Sequence, residues 1–234
     1  MELFSLLQFG PEGWGDELAY GALVTITLAL ASLPLGVAGG LFIALGRQSE
    51  DPLVRASSII YSNVFRGLPE LLTLFLVYYG AQSGISLASQ ALFGVNLEIS
   101  PFLAGMVALG LVFASYAGEV FLSAFRAIPK TQYEAARAIG LTQAQLLRLV
   151  IIPQLVRLAL PGLSNLWLVL IKDTSLVSVI SLNDLLRQTS VAVGSTKEPF
   201  LFYAVACAIY LLFSLISSVG IWRIDAWASR GSVR

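Results

Sequence analysis

The sequence predicts an all-α integral membrane protein with five transmembrane helices. Of the 234 residues, 57% are hydrophobic and only 12% are charged, about half the charged fraction of a soluble domain. Long uncharged stretches separate the charged residues, and a helix needs roughly 20 apolar residues to cross a bilayer. The chain therefore contains enough apolar sequence for several crossings, and we treat residues 1–234 as a single transmembrane domain.

The uncharged stretches place the spans in order. Runs without charge cover residues 18–46, 71–97, 99–118 and 199–222, and another covers 158–183 apart from Lys172 and Asp173. The spans predicted from these runs are 20–45, 59–80, 101–122, 158–180 and 200–222. The first run is too long for a signal peptide and follows no basic residue, so we expect this span to be retained.

Lysine and arginine predict the orientation, because cytoplasmic loops carry an excess of them. With five spans and the N-terminus outside, only Arg187 and Lys197 fall in outside segments. Ten fall in inside segments: Arg47, Arg55, Arg126, Lys130, Arg137, Arg148, Arg157, Arg223, Arg230 and Arg234. The sequence therefore predicts an outside N-terminus and an inside C-terminus.

Composition excludes several classes of function. The chain has no histidine and a single cysteine, which excludes a Ser-His-Asp triad, a His-ligated metal site and an internal disulfide. Its fourteen basic and fourteen acidic residues cancel, whereas a nucleic-acid-binding domain needs a basic face. We expect no metal or cofactor on this chain, no nucleic-acid partner, and extensive contact with membrane lipid.

The longest polar segment, residues 123–157, contains two patterns that start helices. Thr131 with Glu134, and Thr142 with Gln145, both fit the capping box, in which each side chain bonds the other residue's backbone N–H. Gly140 lies between them, where a helix often ends in a left-handed residue.

These signals predict two short helices, at roughly residues 132–139 and 143–151. They meet at a rigid bend at Leu141, and Pro153 marks the end of the second helix or the entry to the next span. The alternative is a plain polar connector lying on the membrane surface. A rigid knob of this kind would give a cytoplasmic partner something to hold.

Residues 134–153 fit the pattern EAA-x3-G-x9-I-x-L-P, with Val and Ile in place of the pattern's Ile and Leu. This pattern resembles the cytoplasmic coupling loop of permease subunits in bacterial ATP-binding-cassette (ABC) importers. Residues 66–72, 160–178 and 198–200 resemble the polar amino-acid permeases, in particular the histidine, lysine/arginine/ornithine and octopine/nopaline group.

The resemblance implies a type I importer permease fold in the bacterial inner membrane. It implies a second permease subunit, identical or homologous, two ATPase subunits and an extracytoplasmic solute-binding protein. It also implies a non-catalytic pathway for a polar, basic amino acid or opine. The sequence lacks G-x-x-x-x-G-K-[ST], so ATP and Mg would be bound by the ATPases. The coupling residues implied are Glu134, Ala135, Ala136, Gly140, Leu141 and Pro153.

Charged residues inside predicted spans are candidates for the substrate pathway, because each costs roughly 2.5–3.5 kcal/mol at mid-depth. Arg66 and Glu70 either neutralise each other or leave Glu70 to attract a cationic substrate. Pro69 between them fits the start of a new helical stretch, and broken helices line cavities in transporters.

Three further charges have two readings each. Glu119 is a structural or gating group, with Arg126 as its candidate partner, or a substrate ligand. Lys172 and Asp173 are adjacent and so face different sides of a helix. They either contact the amino and carboxylate groups of an amino acid, or Lys172 extends toward the membrane surface.

Two rival functions remain at this point. A stand-alone channel or secondary transporter would work without an ATPase and would not need the bent segment. A membrane-embedded enzyme is disfavoured by the missing histidines and by the absence of a G-x-S-x-G nucleophile elbow.

Overall fold

A computed structural model describes residues 5–229, which are helical throughout their regular structure and contain no strand. The α-helices are α1 (Gly15–Arg47), α2 (Pro52–Gly67), α3 (Glu70–Phe93), α4 (Pro101–Ala127), α5 (Lys130–Ala138), α6 (Ile152–Asp173), α7 (Leu185–Thr196) and α8 (Pro199–Ser229). Arg230 and Arg234, which entered the orientation count, lie outside the described residues.

Five helical segments are long and apolar enough to cross a membrane, which confirms the predicted number. They are Gly15–Arg47, Glu70–Phe93, Pro101–Ala127, Gln143–Ile180 and Pro199–Ile224. The fourth is composite: it joins a short turn, Gln143–Gln145, a π-helix, Leu146–Ile151, helix α6 and a 3₁₀-helix, Thr174–Ile180.

The second span differs from the predicted range 59–80, because the helix breaks inside it. Leu68 is extended, with φ −91° and ψ 142°, as expected for a residue before a proline. Helix α2 ends at Gly67 and α3 begins at Glu70. Residues 52–67 therefore form a separate amphipathic helix, and the apolar span is α3.

Helix α4 lies at the centre of the bundle, where it packs against α1, α2, α3 and α6. The closest approach is to α1 through two glycines four residues apart. A Cβ at Gly36 would overlap Phe113, and a Cβ at Gly40 would overlap Ala117. The small residues four apart in α1 therefore allow the two helices to pair closely.

Helices α3 and α8 carry much of the exposed apolar surface. Leu72, Leu76 and Leu92 of α3, and Leu211 and Ile216 of α8, each expose more than half of their surface. In a bilayer, such faces contact lipid or another membrane subunit.

Candidate functional site

The polar segment after α4 begins differently from its predicted form. Helix α5 starts at Lys130, with Pro129 as its N-cap and no side-chain capping bond. The predicted capping box of Thr131 and Glu134 is therefore wrong. Pro129 accounts for the difference, because its fixed φ of −61° starts the helix two residues earlier and leaves Thr131 inside the first turn.

The bend itself is as predicted. Gly140 has a φ of +80°, and the backbone N–H groups of Gly140 and Leu141 donate to Arg137 and Ala136 at 3.0 and 3.1 Å. These two bonds form a Schellman motif, which ends a helix on a left-handed glycine.

The second capping box is also confirmed. The backbone N–H of Thr142 donates to Gln145 Oε1 at 2.9 Å, and the N–H of Gln145 donates to Thr142 Oγ1 at 3.4 Å. Together with the Schellman motif, it fixes the angle between α5 and the helix that follows.

Of the two roles predicted for Pro153, the entry to the next span is confirmed and the end of a helix is not. The chain passes through the π-helix directly into α6, and Pro153 lies in the first turn of α6. Ile152 N–H bonds the carbonyl of Leu147, five residues earlier. Because proline has no N–H and its ring crowds the preceding turn, a widened π turn lets the helix continue past it.

The bend presents one face outward and anchors the other. Ala136 and Leu146 are buried, and Leu141 packs against the core. Glu134 and Ala135 are exposed, and Ile139 is 76% exposed. An exposed isoleucine on a short polar helix of fixed geometry is suited to docking against another protein.

A second candidate site lies in the middle of the bundle, where two carboxylates face one narrow cavity. Glu70 and Asp173 line this cavity with apolar residues of α3, α4 and α6, and their carboxyl groups are close enough to interact. We call this cavity the acidic pocket. Its volume is about 20 Å³, so an amino acid enters only if the helices separate.

The helix breaks place these two carboxylates. Glu70 lies in the first turn of α3, directly after Pro69, and Asp173 is the last residue of α6 before the 3₁₀-helix. Lys172 is exposed and does not line the acidic pocket, in agreement with the different directions expected for adjacent helical residues.

Two arginines bind one carboxylate at the end of the bundle nearer to α5. Arg66 Nη2 lies 2.8 Å from Glu119 Oε1, and Arg47 Nη1 contacts the same oxygen. We call these three residues the arginine cluster. It joins α1, α2 and α4, and its side chains are 18%, 33% and 30% exposed for Arg47, Arg66 and Glu119.

The cluster corrects two predicted pairings. Arg66 pairs with Glu119 instead of Glu70, because the helix break at Leu68 separates Arg66 from α3. Glu119 pairs with two arginines of other helices instead of Arg126. Arg47 was not among the predicted site residues, and its only signal in the sequence is its position at the end of the first span.

Sequence reasoning also missed a buried carboxylate outside the spans. Asp184 is fully buried at the N-terminus of α7, and its Oδ1 accepts the N–H of Arg187 at 3.0 Å. Its Oδ2 has no hydrogen-bond partner within residues 5–229. Burial raises the pKa of Asp184 from 3.8 to about 6.

The five-span bundle, the bent helical knob and the paired carboxylates between the helices are features of a membrane-embedded transport subunit. Residues 36–225 match the family described as "Binding-protein-dependent transport system inner membrane component". The chain belongs to this family: it is an inner-membrane permease subunit of an ABC import system. This assignment overturns the alternative of a stand-alone channel or secondary transporter.

Characterised relatives cover nearly the whole chain. The nopaline transport system permease of Agrobacterium fabrum is 42% identical over 97% of this chain and 97% of its own length. The octopine transport system permease of Rhizobium meliloti is 38% identical over 99% and 98%. The histidine/lysine/arginine/ornithine transport system permease of Escherichia coli is 38% identical over 91% and 98%.

Solved structures share the fold. The crystal structure of an amino acid ABC transporter with histidines superposes with a TM-score of 0.77 at 32% identity, over 91% of this chain and 94% of that chain. The inward-facing MetNI methionine ABC transporter gives a TM-score of 0.68 at 16% identity, over 91% and 96%. The importer permease fold expected from the sequence is confirmed.

Proposed function

We propose that this chain forms part of the translocation pathway for a basic amino acid or an opine with a cationic side chain. The observation that carries the proposal is the acidic pocket, in which Glu70 and Asp173 lie together between α3, α4 and α6. Two neighbouring carboxylates in a low-dielectric site repel each other, and a guanidinium or ammonium group between them relieves that repulsion. The nopaline, octopine and histidine/lysine/arginine/ornithine systems of the relatives are in keeping with such a substrate.

The assembly proposed around this chain has four further kinds of contact. A second permease subunit, identical or homologous, completes the pathway, and a solute-binding protein delivers substrate from outside the cell. Two ATPase subunits bind ATP and Mg and hydrolyse the ATP. The surrounding lipid contacts the exposed apolar faces of α3 and α8.

The coupling residues proposed are Glu134, Ala135, Ala136, Gly140, Leu141 and Pro153. Glu134 and Ala135 on the exposed face of α5, and Ile139 directly after it, contact the ATPase. Gly140 and Leu141 hold the bend through the Schellman motif. The helix continues without a break from Gln143 through Pro153 to Asp173. A displacement of α5 and the bend is therefore transmitted along this helix to Asp173.

Uptake of radiolabelled L-arginine tests the acidic pocket. The import system is expressed in cells that lack their own arginine uptake, with this permease wild type or carrying Glu70→Gln or Asp173→Asn. Losing a charged hydrogen bond costs about 1.5–3 kcal/mol, so we expect each variant to reduce uptake at low arginine roughly tenfold or more. Unlabelled histidine, lysine, octopine and nopaline, added as competitors, rank the possible substrates.

Glu98→Gln is the matched control, because Glu98 is an exposed carboxylate that does not line the acidic pocket. It should transport arginine like the wild type. Normal arginine uptake by both Glu70→Gln and Asp173→Asn at equal membrane abundance would rule out the pocket as the cation site.

A further inference from the structure

The arginine cluster carries unequal charge. Two guanidinium groups share one carboxylate, Glu119, and no other ion pair involves Arg47 or Arg66 among the residues that the structure describes. One positive charge is therefore left without a carboxylate partner. Because a third or less of each side chain is exposed, water screens this charge poorly and the cluster attracts an anion.

The cluster lies next to the acidic pocket on the same face of α4. Val112 and Tyr116 line the pocket, and Glu119 follows Tyr116 by three residues, which keeps it on that face. Three residues correspond to a rise of roughly 5 Å. A short stretch of chain also connects the two sites, since Arg66 at the end of α2 precedes Glu70 at the start of α3 by four residues.

We propose that the arginine cluster binds the α-amino and α-carboxylate groups of an amino acid whose cationic side chain lies between Glu70 and Asp173. The arginines take the α-carboxylate and Glu119 takes the α-ammonium group. This inference rests on the proposed function of the acidic pocket. It adds a second point of recognition, so that the pathway binds both the side chain and the backbone groups of a basic amino acid.

Charge complementarity supports this arrangement. The cluster presents both signs side by side, as the zwitterionic end of an amino acid does, and the pocket presents negative charge to a cationic end. Arginine matches a carboxylate well, because its planar guanidinium donates two parallel hydrogen bonds.

Binding at the cluster is an exchange of one carboxylate for another. Glu119 Oε1 accepts from both arginines in the structure, so the substrate's α-carboxylate replaces Glu119 on one of them. Arg66 is the exchangeable partner because it is the more exposed arginine, at 33% against 18%. Arg66 Nε also donates a hydrogen bond to the carbonyl oxygen of Ser62 at 3.3 Å, and this bond keeps the guanidinium group in place during the exchange.

Direct binding to the purified permease–ATPase complex in lipid nanodiscs tests the proposal. The solute-binding protein is left out, because its own selectivity would mask that of the permease. The probes are radiolabelled L-arginine and agmatine, which has the guanidinium and an amine but no carboxylate. We expect Arg66→Gln to weaken L-arginine binding roughly ten- to a hundredfold, the loss of one charged hydrogen-bonded contact, and to leave agmatine binding unchanged.

Two variants complete the set. Arg66→Lys keeps the charge but not the planar fork, so it should recover part of the lost L-arginine affinity. If Arg66→Gln does not assemble, Arg66→Lys is used in its place. We then expect a smaller loss of L-arginine affinity, again with agmatine binding unchanged. Arg55→Gln removes an exposed arginine from the same helix, α2, and should bind both probes like the wild type.

The outcomes separate the two proposals. Equal weakening of both probes by Arg66→Gln indicates a structural role and overturns the inference, as does normal L-arginine binding. Glu70→Gln and Asp173→Asn should weaken both probes; if they do so while Arg66→Gln has no selective effect, the acidic pocket stands and only the cluster's role fails. If they leave both probes unaffected, the proposed function itself fails, and a wild-type complex that binds no L-arginine contradicts both.

Discussion

Asp184 is a single residue whose ionisation the fold opposes. The side chain is fully buried and caps α7, yet one carboxylate oxygen has no partner among residues 5–229. Desolvation raises its pKa from 3.8 to about 6, so the folded protein binds this proton more tightly than the unfolded chain does. The resulting stability is fully present below about pH 4 and is lost as the pH rises through about 6.

This sign gives a testable pH dependence. Because one pKa unit corresponds to about 1.4 kcal/mol, the free energy of unfolding should fall by roughly 3 kcal/mol between pH 4 and pH 7. Asp184→Asn keeps a capping oxygen but cannot ionise. We expect the thermal-unfolding midpoint of the variant to change less between pH 5 and pH 7 than that of the wild type, measured on purified protein in detergent.

Asp51→Asn is the control for that comparison. Asp51 also caps a helix, accepting the N–H of Leu53 at 2.8 Å, but it is exposed. Asp51→Asn should show the same dependence of the unfolding midpoint on pH as the wild type. Identical profiles for Asp184→Asn and the wild type would show that Asp184 does not titrate with folding.

At the scale of the elements, α5 and its bend depend on one backbone conformation. Gly140 has a φ of +80°, and a Cβ placed there meets no atom within 4 Å. Substitution by alanine therefore costs only the left-handed strain, roughly 1–2 kcal/mol. We expect Gly140→Ala to loosen the bend and to lower the amount of ATPase that co-purifies with the permease.

Gly80→Ala isolates the backbone effect. Gly80 also has open space around its Cβ position, but it lies within helix α3 with no positive φ. Alanine there should be neutral or slightly stabilising. If Gly140→Ala retains as much ATPase as Gly80→Ala does, the bend does not need its left-handed residue.

The same element shows what could be read from sequence and what could not. Gly140 and the capping box at Thr142 were predictable because their hydrogen bonds close within a few residues. The box at Thr131 failed because a neighbouring proline, Pro129, sets the start of the helix. The arginine cluster could not be predicted from the sequence, since Arg47 and Glu119 are 72 residues apart and only the packing of α1 against α4 brings them together.

At the scale of the whole molecule, the five spans followed from gaps in the charge distribution, because the bilayer imposes that pattern on every crossing. The new helical stretch at Pro69 is confirmed, but its consequence for the charges was not predicted, since Arg66 and Glu70 were interpreted as charges within one span. Which carboxylates share a cavity also depends on how the helices pack. Glu70 and Asp173 meet only because α3 and α6 both lie against α4.

The orientation of the bundle is the last prediction, and it follows from the distribution of lysine and arginine over all the loops. Single cysteines replace exposed residues in a Cys207→Ser background: Glu12→Cys before α1, Ser195→Cys in α7 and Gln132→Cys in α5. A membrane-impermeant maleimide added to intact spheroplasts should label positions 12 and 195, and should label position 132 only after lysis. Labelling of position 132 in intact spheroplasts would place α5 outside the cell, away from any cytoplasmic ATPase, and would contradict both the orientation and the coupling role.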